Sequence, residues 1–86
     1  MNKNDFIAAQ SHYSLTPAEA LTQLRQLQEM SQRELSLATG IPQSNISAME
    51  NGTSRIGRER AIKLAVALKV HPAVILFPDF DTSQVA

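Results

Sequence analysis

Four neighbouring side chains carry the most usable chemistry in this sequence: Gln43, Ser44, Asn45 and Ser47, within the stretch PQSNISAMENG. Each offers a short, uncharged group that can donate and accept hydrogen bonds. Ile46 and Met49, three apart with Ala48 beside them, give the same stretch one narrow apolar stripe, as in a helix buried on one side. Surface helices usually fill the opposite side with Lys and Glu, which favour helix and solubilise it. A face of Gln, Asn and Ser instead suits base edges in a DNA major groove. A bidentate Gln–adenine pair there is worth about 1–3 kcal/mol of discrimination. For Asn45, capping of the local backbone is an equal alternative.

Other chemistries are poorly provided for. The 86 residues include no cysteine, which excludes a disulfide framework or a thiolate metal site and fits a reducing, cytoplasmic compartment. His12 and His71 stand far apart, so neither a metal centre nor a cofactor is expected. No carboxylate pair or nucleophile–base arrangement is recognisable, and an enzyme is not expected. There is no apolar run of membrane length and no signal-peptide pattern.

The elements that must position the polar face can be read on either side of it. Ser31 and Glu34 are spaced as a capping box and open a helix in which Leu35 and Ala38 are apolar. Gly40 ends that helix, and Ile41-Pro42 redirects the chain into the polar helix, with the fixed φ of Pro42 suited to its start. The polar helix runs from Gln43 to about Asn51, and Gly52 terminates it. Upstream, Thr16-Pro17-Ala18-Glu19 is a second capping box. It starts a helix to about Glu29 with Leu21, Leu24 and either Leu27 or Gln28 as its stripe. Downstream, a helix from Arg58 to about Leu68 carries Ile62, Ala65 and Leu68 as its main apolar row, flanked by Ala61, Leu64 and Val66. Pro72 introduces a last short helix, Ala73 to Phe77, that Pro78 stops. The expected architecture is therefore all-α with five helices, in one domain over residues 16–78. Residues 1–15 are expected to be an N-terminal arm, either a partly disordered, frayed terminus or a partner-binding segment, and 79–86 a C-terminal tail.

The formal charge is zero, which at first argues against a polyanionic partner. Its distribution does not. From Arg55 to Lys69 there are five cations (Arg55, Arg58, Arg60, Lys63 and Lys69) against Glu59 alone. It is the local field that meets phosphate. Arg55 and Arg58 are the best phosphate candidates, since cations at a helix N-terminus oppose the dipole unless an anion sits there. Ser31, Gln32 and Arg33, opening the second helix, are the other candidates.

The residues Leu21, Leu24 and Arg25, then Ser31, Gln32, Glu34 and Leu35, then Gly40, Ser44, Ile46, Ser47, Glu50, Asn51 and Gly52 together resemble the phage-repressor (Cro/cI, Xre) helix-turn-helix family. The resemblance covers Leu21 to Leu76, some two-thirds of the chain. It departs at Pro42, where the family often has a Ser or Thr cap. The resemblance implies a lambda-repressor-like fold and a structural ion pair between Arg25 and Glu50. In the apolar run VILF one helix face, Val74 or Ile75 with Leu76, goes to the core and the remainder is left for an interface; the resemblance implies a homodimer through this last helix, with Val74, Ile75, Phe77 and Phe80 as candidate contacts. Two reading helices would then enter successive major grooves of an inverted-repeat operator. With no ligand-binding domain to sense a small molecule, two roles follow: a transcriptional repressor that occupies its operator, or an antitoxin of the HigA type that also neutralises a cognate toxin. The N-terminal arm, with Phe6, Ile7 and Tyr13 as candidate partner contacts, the LTPAEAL helix start and the HPAVILFPDF ending look like that antitoxin group and favour the antitoxin. A helix-turn-helix protein-interaction module without DNA is the alternative that net neutrality suggests.

Overall fold

The structure, a computed structural model, describes residues 15–79. The arm residues Phe6, Ile7, His12 and Tyr13, and Phe80 in the tail, lie outside the described residues. Five helices follow in order: α1 Pro17–Leu27, α2 Gln32–Thr39, α3 Gln43–Glu50, α4 Arg58–Leu68 and α5 Pro72–Leu76. No strand occurs among the described residues.

Both capping boxes form. The Thr16 hydroxyl accepts from the Glu19 amide while the Glu19 carboxylate accepts from the Thr16 amide, and Ser31 and Glu34 do the same for α2. Hydrogen bonds from Ser31 hold the Glu34 carboxyl below its ordinary pKa, the backbone amide contributing most. α1 stops at Leu27, two residues early. Glu29 takes a left-handed φ of 55°, and the Met30 amide reaches back to the Arg25 carbonyl at 3.1 Å. This wrap-back satisfies carbonyls that a straight helix end would leave open. Lys69 ends α4 in the same conformation, with φ 60° and the Val70 amide on the Ala65 carbonyl. His71 caps α5, its Nδ1 accepting from the Ala73 amide at 3.0 Å.

The core is one cluster: Leu21 from α1, Leu35 from α2, Ile41 from the turn, Ile46 and Met49 from α3, Leu64, Ala65 and Leu68 from α4, and Ile75 from α5. Every helix therefore contributes, and burying these side chains is what holds five short helices together. Four apolar expectations need correction. Leu27 is 77% exposed, because the helix ends there and its stripe closes at Leu24. Ala38 is exposed and Leu35 alone anchors α2. In α4 the buried row is Ala61, Leu64, Ala65 and Leu68, while Ile62 and Val66 face outward. Ile75 is fully buried and serves the core, which removes it from the candidate dimer contacts; Val74 and Phe77 are the exposed members of that set.

Candidate nucleic-acid interface

The polar helix α3 is fixed at both ends. At its N-terminus the turn Gly40-Ile41-Pro42 is stapled to α2. The Ser36 hydroxyl donates to the Ile41 carbonyl at 2.6 Å, and the Ile41 amide donates to the Thr39 hydroxyl at 3.2 Å. Gly40 supplies the left-handed residue, with φ 76°. Pro42 is the N-cap residue and not the first helical one; its carbonyl accepts from the Asn45 and Ile46 amides. No side chain caps α3, which leaves its N-terminal end open towards whatever faces it.

At the C-terminal end, Glu50 enters a polar cluster. Arg25 Nε donates to Glu50 Oε2 at 2.7 Å and Arg25 Nη2 to Glu50 Oε1 at 3.0 Å, a bidentate pair. Arg25 Nη1 donates to the Met30 carbonyl at 2.8 Å. Gln32 Nε2 donates to the same Glu50 Oε1 at 3.2 Å. One guanidinium thus joins α1, the α1–α2 turn and the end of α3, and Gln32 adds α2. The side chains of Arg25 and Glu50 are only 14% and 6% exposed. Burial is the largest single influence on the Glu50 carboxyl and pushes its pKa up. The hydrogen bonds from Arg25 and Gln32 and the Arg25 charge, with a smaller effect of Thr22, together outweigh it and hold the carboxyl below its ordinary value. The bond to Glu50 raises the Arg25 pKa further.

After Glu50 the chain turns at once. Asn51 Oδ1 accepts from both the amide and the hydroxyl of Thr53, and Gly52 takes φ 85°. The Thr53 and Ser54 amides both reach the Ala48 carbonyl. The three residues Glu50-Asn51-Gly52 thus have three separate tasks: ion pair, side-chain-closed turn and left-handed corner.

Between these fixed ends the candidate base-reading residues are presented unequally. Gln43 and Ser44 are exposed, whereas Asn45 and Ser47 are half-buried. None of the four side chains makes a hydrogen bond within the described residues. Arg33, Arg55 and Arg58 are exposed, as is Ser31, whose hydroxyl oxygen accepts the capping bond. Gln32 differs from the other phosphate candidates: it is half-buried and its amide is turned to Glu50. The Gln32–Glu50 contact and the Ser36 staple went unseen in the sequence reading. For Ser36 a signal existed, since a hydroxyl four residues before Gly40 can reach the turn.

Two helices in tight succession, an outward polar second helix and cations at the flanking helix start define a helix-turn-helix DNA-binding domain of the Xre type. The comparison of sequences agrees: residues 21–75 match the Helix-turn-helix family, and the chain belongs to it. No curated protein matches the sequence. Among solved structures, the chain is similar to the restriction-modification controller protein C.AhdI from Aeromonas hydrophila. The identity is 26% and the TM-score 0.68, over 72% of this chain and 94% of that one. No helix of the described residues is long and apolar enough to cross a membrane.

Proposed function

We propose that this chain is a sequence-specific transcription regulator that occupies an inverted-repeat operator as a two-fold dimer. The observation that carries the reading is the exposed, unbonded pair Gln43 and Ser44 at the open end of a helix fixed at both ends. Gln43 and Ser44 would contact bases first, with Asn45 and Ser47 deeper on the same helix. Arg55, Arg58, Arg33 and Ser31 would hold phosphates and set register. Val74 and Phe77, exposed on α5, would form the dimer contact. The chain acts as a binding protein and no catalysis is assigned to it.

Two biological roles share this mechanism. Likeness to a controller protein over nearly the whole of that protein favours a stand-alone regulator, since this fold alone makes up such a molecule. The HigA-type antitoxin role rests on the N-terminal arm with Phe6, Ile7 and Tyr13, on the LTPAEAL helix start and on the HPAVILFPDF ending. Co-expression with the neighbouring open reading frame separates them: an antitoxin co-purifies with its product and relieves its toxicity.

The DNA-reading assignment is tested by a gel shift on the DNA upstream of the gene, at two salt concentrations. The wild-type chain should give a salt-sensitive shift, and Gln43→Ala/Ser44→Ala should lose it on that DNA while retaining weak binding to unrelated DNA. A double variant that binds as well as wild type removes base reading by α3. No shift even at low salt favours the interaction-module reading.

A further inference from the structure

We propose that the outward face of α4 is a self-association surface. On it a second copy of this chain docks antiparallel, Ile62 against the second copy's Val66 and Glu59 against its Lys69. With 100° per residue, Glu59, Ile62, Lys63 and Val66 fall within about a third of the helix circumference, opposite the buried Ala61, Leu64, Ala65 and Leu68, and the exposed Lys69, the left-handed residue that ends the helix, follows directly after them. Val66 is 76% exposed and Ile62 43% exposed. β-Branched residues form helix less well than Lys or Glu, so on a solvated face they cost propensity unless something covers them.

The charges around them identify the occupant. A contact between two copies across a two-fold axis requires each residue's counterpart to lie equally far from the axis on the other side. Ile62 and Val66 are each two residues from Leu64, and Glu59 and Lys69 are each five. One axis over Leu64 therefore joins apolar to apolar at the centre and acid to base at both ends. Glu59, Lys63 and Lys69 are exposed, and no ion pair within the described residues uses them. Lys63 is brought near its own copy beside the axis, where its exposed side chain can turn to solvent.

One face of a three-turn helix falls short of the roughly 1,000 Å² that a stable interface buries. The contact is therefore weak, and it fills when copies are concentrated or held side by side on one DNA. It uses none of the DNA-reading residues and none of Val74 and Phe77, so it can link dimers made through α5. It stands whether or not α3 reads bases.

The chain has no cysteine, so Ile62→Cys/Val66→Cys introduces the only thiols. The purified full chain is mildly oxidised over a range of concentrations and run on a denaturing, non-reducing gel. Far-UV circular dichroism of the reduced sample checks the fold. The expected result is a covalent dimer in far higher yield than from Gln23→Cys/Leu27→Cys, a pair of the same spacing on α1. Adding Glu59→Lys should cut the yield by about threefold, and adding Glu59→Lys/Lys69→Glu should restore it. A yield no higher than the α1 pair overturns the surface. Indifference to Glu59→Lys, or no rescue by the charge exchange, overturns the antiparallel docking.

Discussion

At the scale of single residues, the Arg25–Glu50–Gln32 cluster is the most consequential set of contacts. Removing one member of a half-buried, hydrogen-bonded charge pair strands the other, a loss of about 1–3 kcal/mol. Arg25→Met should therefore destabilise strongly. Arg25→Met/Glu50→Met should cost less than Arg25→Met and Glu50→Met added together, as measured by urea unfolding of the four proteins. The pH dependence has a definite sign. The folded Glu50 carboxyl titrates below its ordinary range, so its stabilisation is complete above the unfolded pKa and is lost as pH falls through the folded one. As the pH is taken into the acid range, the stability of the wild type should fall more than that of Glu50→Gln. The ion pair was implied by the resemblance. Gln32 was read as a phosphate ligand because nothing local reveals that its amide turns inward. A side chain at the first position of a helix has no sequence neighbour that marks a tertiary acceptor eighteen residues away.

At the scale of elements, the sequence was informative wherever local rules act. The two S/T-x-x-E boxes and Gly40 were legible because capping and left-handed corners are decided by adjacent residues. The phase of α4 was not. Its apolar positions 61, 62, 64, 65, 66, 67 and 68 go almost around the helix, so periodicity could not choose Leu64 over Ile62 as the centre of the buried row. In α5, five residues long, one turn cannot separate Val74 from Ile75. The end of α1 was missed because Glu29 is an uncommon left-handed residue, where glycine is the usual choice. That gives a prediction: Glu29→Gly should raise stability by about 0.5–1 kcal/mol, a Tm gain of roughly 4 °C by calorimetry. Gly40→Ala should do the reverse by about 1 kcal/mol, through backbone strain alone, since a Cβ there meets no atom within 4 Å.

At the scale of the whole molecule, neutrality overall and cations along one segment coexist, and salt dependence tells which governs binding. Arg55→Gln and Arg58→Gln should each reduce the slope of log affinity against log salt by about one per half-site, with little change in operator preference. Equilibrium titrations at four salt concentrations measure it. Phe77→Glu should lower the mass seen by sedimentation to that of a monomer and weaken operator binding. The variant keeps the core because Ile75, not Phe77, is buried.

The polar helix held at both ends also has a calorimetric consequence. Because the Ser36 staple and the Glu50 cluster already order α3 in the free chain, its capture by DNA in the proposed mode would carry no cost of winding a helix. The heat-capacity change on binding, followed by titration calorimetry at several temperatures, should then match the surface that two rigid bodies cover. Ser36→Ala should make that change more negative, as the turn is left to order itself on the DNA.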